Sequence, residues 1–145
     1  MQYRSEDQFV PLFENFCRKN QIDGKEIVAH IEGIPVKLKV AAKDETRSKG
    51  FMHSGEPGDD EGILFVYDSE EPLVFWMKNV DFPLDILFFD SNLNLIDNQT
   101  MEPGTDLEEE DLPKYSSKKP CRFAVELKSG WCKKNLKNNN CRLKF

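Results

Sequence analysis

Three apolar runs within one short stretch, at 63–67, 73–77 and 84–89, constrain this chain more than any other feature. Each is too short for a helix and lacks polar alternation, which marks strands buried on both faces between other layers. Between the second and third runs lie Lys78, Asn79 and Asp81, and Asp85 sits just inside the third. Charged groups so near a core are costly unless they are paired or put to use. The connection is therefore either a polar network holding the core in register or the floor of a site.

Strand signals recur around these runs. Ile27, Ala29 and Ile31, then Val36, Leu38 and Val40, fall at alternate positions interrupted by Gly33-Ile34-Pro35, which reads as a hairpin with His30, Lys37 and Lys39 outward. A second hairpin is expected over 84–99, turning at 91–94. Cys121, Phe123, Val125 and Leu127 alternate with Arg122, Ala124, Glu126 and Lys128 as a half-buried strand, and 141–145 makes a last short one.

Two helices are expected. Ser5 and Gln8 have capping-box spacing, and Phe9, Leu12, Phe13 and Phe16 follow at helical intervals, predicting a helix over 6–19. Ser129 can cap a short helix through about residue 136. Residues 46–52 suggest a helical turn, followed by a Gly- and Pro-rich loop. The predicted class is mostly β (β-rich α+β): a single-domain antiparallel barrel or sandwich over 26–145, with an N-terminal helical extension over 1–25.

A chain of 145 residues with 39% hydrophobic and 32% charged side chains is large enough for an ordinary core. No apolar run approaches the roughly 20 residues of a membrane span. The first residues lack the apolar region of a secretory signal, so a cytoplasmic setting is expected, the host cytoplasm if the chain is phage-encoded. Cys17, Cys121, Cys132 and Cys141 are irregularly spaced, and only His30 and His53 are present. No metal site or cofactor is expected, and the cysteines read as free thiols.

The net charge of −6 hides an asymmetry. Residues 1–113 carry 25 acidic and 10 basic side chains, whereas 114–145 carry 10 basic and one acidic, Glu126. A basic C-terminal third can face nucleic acid. A pI near 5.0 opposes that, and the simpler reading folds the basic segment against the acidic remainder, with Lys114, Lys118 and Lys119 near the 108–111 acidic run.

The motifs occur in an informative order. Arg47, Gly50, Phe51 and Met52 come first, then Gly62, Ile63, Leu64 and Phe65. Trp76, Met77, Lys78, Asn79, Pro83, Leu84 and Asp85 follow, and Val125, Glu126 and Gly130 close the set. This order resembles the bacterial and archaeal family catalogued as domain of unknown function 192, over about residues 36–145. Phe51, Ile63, Val80 and Val125 depart from its usual residues, and its hairpin turn is replaced at 92–94, as in a divergent phage or viral member. The resemblance implies a compact β-rich fold and no established activity.

Arg47, Trp76, Lys78, Asn79, Asp85 and Glu126 are the candidate ligand-binding residues. Gathered in one pocket, Asp85 or Glu126 could act as acid or base, Lys78 and Arg47 as anion contacts and Asn79 as an orienting amide. The structural alternative makes Arg47, Asp85 and Glu126 a buried network fixing the strands, with Trp76 a core aromatic. No nucleophile elbow, phosphate loop or dinucleotide fingerprint is present. A small binding module for a protein or small-molecule partner is therefore favoured over a hydrolase- or lyase-like enzyme, and the catalytic residues of such an enzyme are not identified.

Overall fold

The computed structural model describes residues 19–138 and 140–145. The helix expected over 6–19 thus lies outside the described residues save its last position, as does Cys17. The chain runs α1 (Lys19–Ile22), β1 (Glu26–Ile31), β2 (Ile34–Ala41), α2 (Asp44–Lys49), β3 (Glu61–Glu71), β4 (Val74–Phe75), β5 (Leu84–Phe89) and β6 (Leu95–Met101). It continues through a 3-10 turn (Glu109–Asp111), β7 (Tyr115–Ser116), β8 (Cys121–Lys128), α3 (Trp131–Asn135) and β9 (Leu143–Lys144).

Seven strands form one sheet in the order β6-β5-β8-β3-β2-β1-β9. Its neighbours are antiparallel except β2 and β3, which the crossover carrying α2 makes parallel. The β1–β2 turn has Glu32 and Gly33 at φ 55 and 74, the left-handed pair whose twist suits a hairpin. The sheet curls until its edges nearly meet. Leu95 N–H donates to the Cys141 carbonyl and Leu143 N–H to that of Leu93, both at 2.9 Å, while Leu143 also pairs with Ile31 of β1. The result is a half-closed barrel laced at one end by the C-terminal segment.

The middle of β3 (Ile63 to Val66) and the whole of β5 are buried on both faces, as is β8 up to Leu127, so β8 is more deeply enclosed than its half-polar pattern predicts. Alternation sends Leu64, Leu87, Phe89, Val125 and Leu127 into the core enclosed by the curl, together with Ile31, Leu38 and Leu143. It sends Ile63, Phe65, Ile86, Phe88 and Ala124 to the outer face, where Leu73, Met77 and Phe82 cover them. Each of these buried Leu, Ile, Val, Phe and Met side chains contributes roughly 1.5–3 kcal/mol. Gly62 opens β3 because the strands touch there: a Cβ would come within 1.9 Å of the Glu126 carbonyl oxygen.

The run at 73–77 is not the central strand expected. Only Val74 and Phe75 are extended, paired with Ser116 and Tyr115 in a separate two-stranded ribbon, and Val74 is 56% exposed. The run is apolar because Leu73 and Met77 cover the outer face, not because it lies within the sheet. The late helix is shorter than 129–136, with Gly130 rather than Ser129 at its N-cap.

Candidate functional site

Polar groups meet open space on the outer face. One wall is set by Asp23, whose carboxylate accepts hydrogen bonds from Ala42 N–H (2.8 Å), Lys43 N–H (3.3 Å) and the Thr46 hydroxyl (2.6 Å). Burial alone would raise the Asp23 carboxyl, but these bonds outweigh it and hold the group below the usual range. They fix the start of α2. Arg47 then clamps α2 to β3 by donating to the carbonyls of Ala42 (2.6 Å) and Val66 (2.8 Å). Its guanidinium also pairs with Asp44 and lies 4.7 Å from the Tyr67 ring centre.

After α2 the chain turns at Gly50, with φ 47 and ψ −124, a conformation that suits glycine. A Cβ on Gly50 would lie 3.5 Å from the Phe65 ring and 3.7 Å from Glu126 Oε1. The turn therefore rests directly above Glu126.

The facing wall is the segment beyond β4. Gly104 seats it, since a Cβ there would meet the Met77 carbonyl oxygen at 2.5 Å, and Gly104 N–H donates to the Val80 carbonyl at 3.1 Å. Trp76 carries two ammonium groups near its ring, Lys114 at 3.9 Å and Lys78 at 5.5 Å. Lys78 also binds Glu109 at 3.1 Å.

Between the walls lies a cleft of about 500 Å³, with Phe65, Tyr67 and Glu126 at its base. That volume is in the range of small-ligand sites. Glu126 is only 4% exposed and makes no hydrogen bond or ion pair among the described residues. Burial pushes its carboxyl up to about 8. The Tyr67 hydroxyl also lacks such a partner. Burial, opposed by Arg47 and assisted by Glu71 and Glu126, pushes it up to about 12.

Asp85 is a different kind of group. It points to the opposite face of the sheet, where its carboxylate accepts from Thr100 Oγ1 (2.9 Å), Gly130 N–H (3.2 Å) and Cys132 N–H (2.9 Å). It ties β5 to β6 and caps α3, beside a second hollow of about 510 Å³. Asn79 is exposed at φ 58 and its carbonyl accepts from His53 N–H at 3.4 Å, so it shapes the turn and does not line the cleft. Of the six candidates, Arg47, Trp76, Lys78 and Glu126 converge on the cleft, while Asp85 and Asn79 do not.

Tyr67, Phe75 and Gly50 also line the cleft, beyond the six candidates expected from the sequence. Tyr67 left a signal: it shares the outer-face parity of Ile63 and Phe65 and ends that apolar run with a hydroxyl. The basic segment is expected from the sequence to pair with the acidic remainder, with Lys114, Lys118 and Lys119 near the 108–111 acids; the following ion pairs are seen. Lys78 takes Glu109, Lys118 pairs with Asp97 (3.5 Å) and Lys128 with Asp59 (3.7 Å). Among the described residues no cluster of three metal-capable side chains occurs, and no helix is long and apolar enough to cross a membrane.

A β-rich half-barrel with a roofed cleft on its outer face is the class that these observations define. The family described as Uncharacterized ACR, the domain of unknown function 192, matches residues 27–145, and the chain belongs to it. The fold is shared with a candidate transcription regulator from Sinorhizobium meliloti, at 22% identity and a TM-score of 0.75, covering 85% of this chain and 95% of that one. It is also shared with a protein of unknown function from Novosphingobium aromaticivorans, at 19% identity and a TM-score of 0.70, covering 83% and 85%. Among curated proteins there is no match.

Proposed function

We propose that the protein is a small binding module that takes a small-molecule ligand into the cleft between α2 and the segment beyond β4. The observation that carries this reading is Glu126, a buried carboxyl facing open space with no partner among the described residues. Buried polar groups are ordinarily satisfied, and one left open at the base of a cleft is a reason to expect a ligand. Trp76 stands at its wall as a further contact.

The hydrolase- or lyase-like alternative needs Asp85 or Glu126 to act with Lys78 and Asn79. Only Glu126 and Lys78 line the cleft, so that constellation lacks comparable support. Nucleic acid, which the regulator among the structural relatives brings to mind, is disfavoured because Lys118 and Lys128 pair with acids and Lys114 lies on Trp76. A cytoplasmic setting is consistent with Cys121, Cys132 and Cys141 as free thiols.

A thermal-shift screen of small polar and aromatic fragments tests the reading, because a ligand that binds only the folded state raises its melting temperature. Hits are expected with the native protein and are expected to weaken in Glu126→Gln. Hits that survive Glu126→Gln unchanged, or a screen without hits, would sink it.

A further inference from the structure

The distribution of charge inside the cleft narrows the ligand's chemistry. Of the basic groups at its walls, Arg47 is engaged by two backbone carbonyls and Asp44, Lys78 is held by Glu109, and Lys49 stands in solvent. The acids differ. Asp44 is bound to Arg47 and Glu71 is exposed, whereas Glu126 is buried and unpartnered among the described residues. A carboxyl in so dry a place keeps its proton until a positive group arrives, and a positive group then interacts strongly because solvent screens it little.

The walls point the same way. Phe65, Tyr67, Phe75 and Trp76 line the cleft, and aromatic rings attract cations to their faces. Two of these rings already serve as cation platforms: Trp76 for the ammonium groups of Lys114 and Lys78, and Tyr67 for the guanidinium of Arg47. The cleft of about 500 Å³ is much larger than an ammonium group, which leaves space for an apolar body. Gly50 keeps side-chain atoms away from Oε1 on the roof side.

We propose that the cleft is a site for an organic cation, with an ammonium head group at the Glu126 carboxyl and an aromatic or aliphatic body along the ring-lined walls. The proposal rests on the reading of the cleft as a ligand site and adds the sign of the ligand's charge. No covalent bond forms. At neutral pH the Glu126 proton passes to solvent as the ammonium enters, so one proton is released for each cation bound. The other charged or titratable groups lining the cleft with Glu126 are Asp44, Arg47 and Lys49 from α2, Tyr67 and Glu71 from β3, and Lys78 from the segment beyond β4.

Isothermal titration calorimetry of the full chain with 2-phenylethylammonium, 2-phenylethanol and phenylacetate separates the possibilities, with amide shifts at Gly50 and Glu126 locating the site. The ammonium compound is expected to bind about tenfold tighter than either isostere at pH 8. Its affinity is expected to rise about tenfold from pH 6 to pH 7, because one proton is released. The alcohol should show no such slope. Glu126→Gln is expected to bring the ammonium compound down to the alcohol's level. Should that variant fail to fold, the slope and the proton count of the native protein carry the test. Equal or tighter binding of the alcohol or of phenylacetate at the same amides would overturn the cation while leaving the cleft reading intact. Binding by none of the three at millimolar concentration would also overturn it, and the cleft reading would then rest on the wider fragment screen.

Discussion

Asp85 and Glu126 are both buried carboxyl groups on adjoining strands, in register with Leu127 and Ile86 respectively, yet the sheet sends them to opposite faces. On one face Asp85 is saturated by three donors from β6 and the start of α3. On the other, Glu126 lies under the Gly50 turn with no donor among the described residues. Satisfaction, not burial, separates the two. A saturated carboxylate is a fastener, whereas an unsatisfied one lowers stability and remains available for a ligand.

The largest effect expected from breaking this contrast is at Asp85. Asp85→Ala strands the N–H groups of Gly130 and Cys132 and the Thr100 hydroxyl, and loosens α3 from the sheet. A loss of about 3 kcal/mol or more is expected in urea unfolding, since each buried donor left without its acceptor costs about 1–3 kcal/mol. A loss below about 1 kcal/mol would mean that the carboxylate is not the fastener described.

Glu126 should behave in the opposite sense. Its folded pKa of about 8 lies above its ordinary 4.5, so the folded state holds a proton that the unfolded state gives up between these values. Below pH 4.5 the group carries no penalty; as pH rises toward 8 the protein loses stability, by a few kcal/mol once above it. Glu126→Gln is expected to flatten this fall, and so to be the more stable form at pH 9. Parallel melting curves of the two proteins from pH 5 to pH 9 would refute the raised carboxyl.

Why the sequence made these two acids look alike is a matter of register. Parity within a strand can be read directly: Asp85 goes with Leu87 and Phe89, and Glu126 with Ala124. Which parity of β5 shares a face with which parity of β8 depends on the Asp85–Leu127 pairing, and a shift of one residue would reverse it. No local signal fixes that pairing. The hairpins at Gly33 and over 84–99 are legible because their turn residues are local, and in the first the alternation is too. The 73–77 run looks like a central strand because covering a sheet and lying within one both select apolar residues. The cleft's rings, Tyr67 and Phe75, come from separate segments that only the folded sheet brings together.

A smaller effect is expected where the roof meets the acid. Gly50→Ala places a Cβ at φ 47 and ψ −124, a conformation costly for any other residue, with Phe65 and Glu126 in contact range. A loss of about 1–3 kcal/mol is expected from backbone strain, together with weaker binding of any cleft ligand. If stability falls but ligand affinity holds, the roof is structural and the ligand enters elsewhere.

Asn79 gives the smallest effect and the cleanest control. Its sequence neighbourhood made it a candidate beside Lys78, yet the two differ in what they face: Lys78 lines the cleft, and Asn79 is exposed at the turn with φ 58. Asparagine tolerates that left-handed conformation and glycine adopts it freely, so Asn79→Gly should change stability by less than about 0.5 kcal/mol. The bond from His53 N–H is accepted by the backbone carbonyl and survives the substitution. Fragment affinities measured by calorimetry should match those of the native protein. A loss of binding as large as that in Glu126→Gln would return Asn79 to the site and show that the turn closes over the ligand.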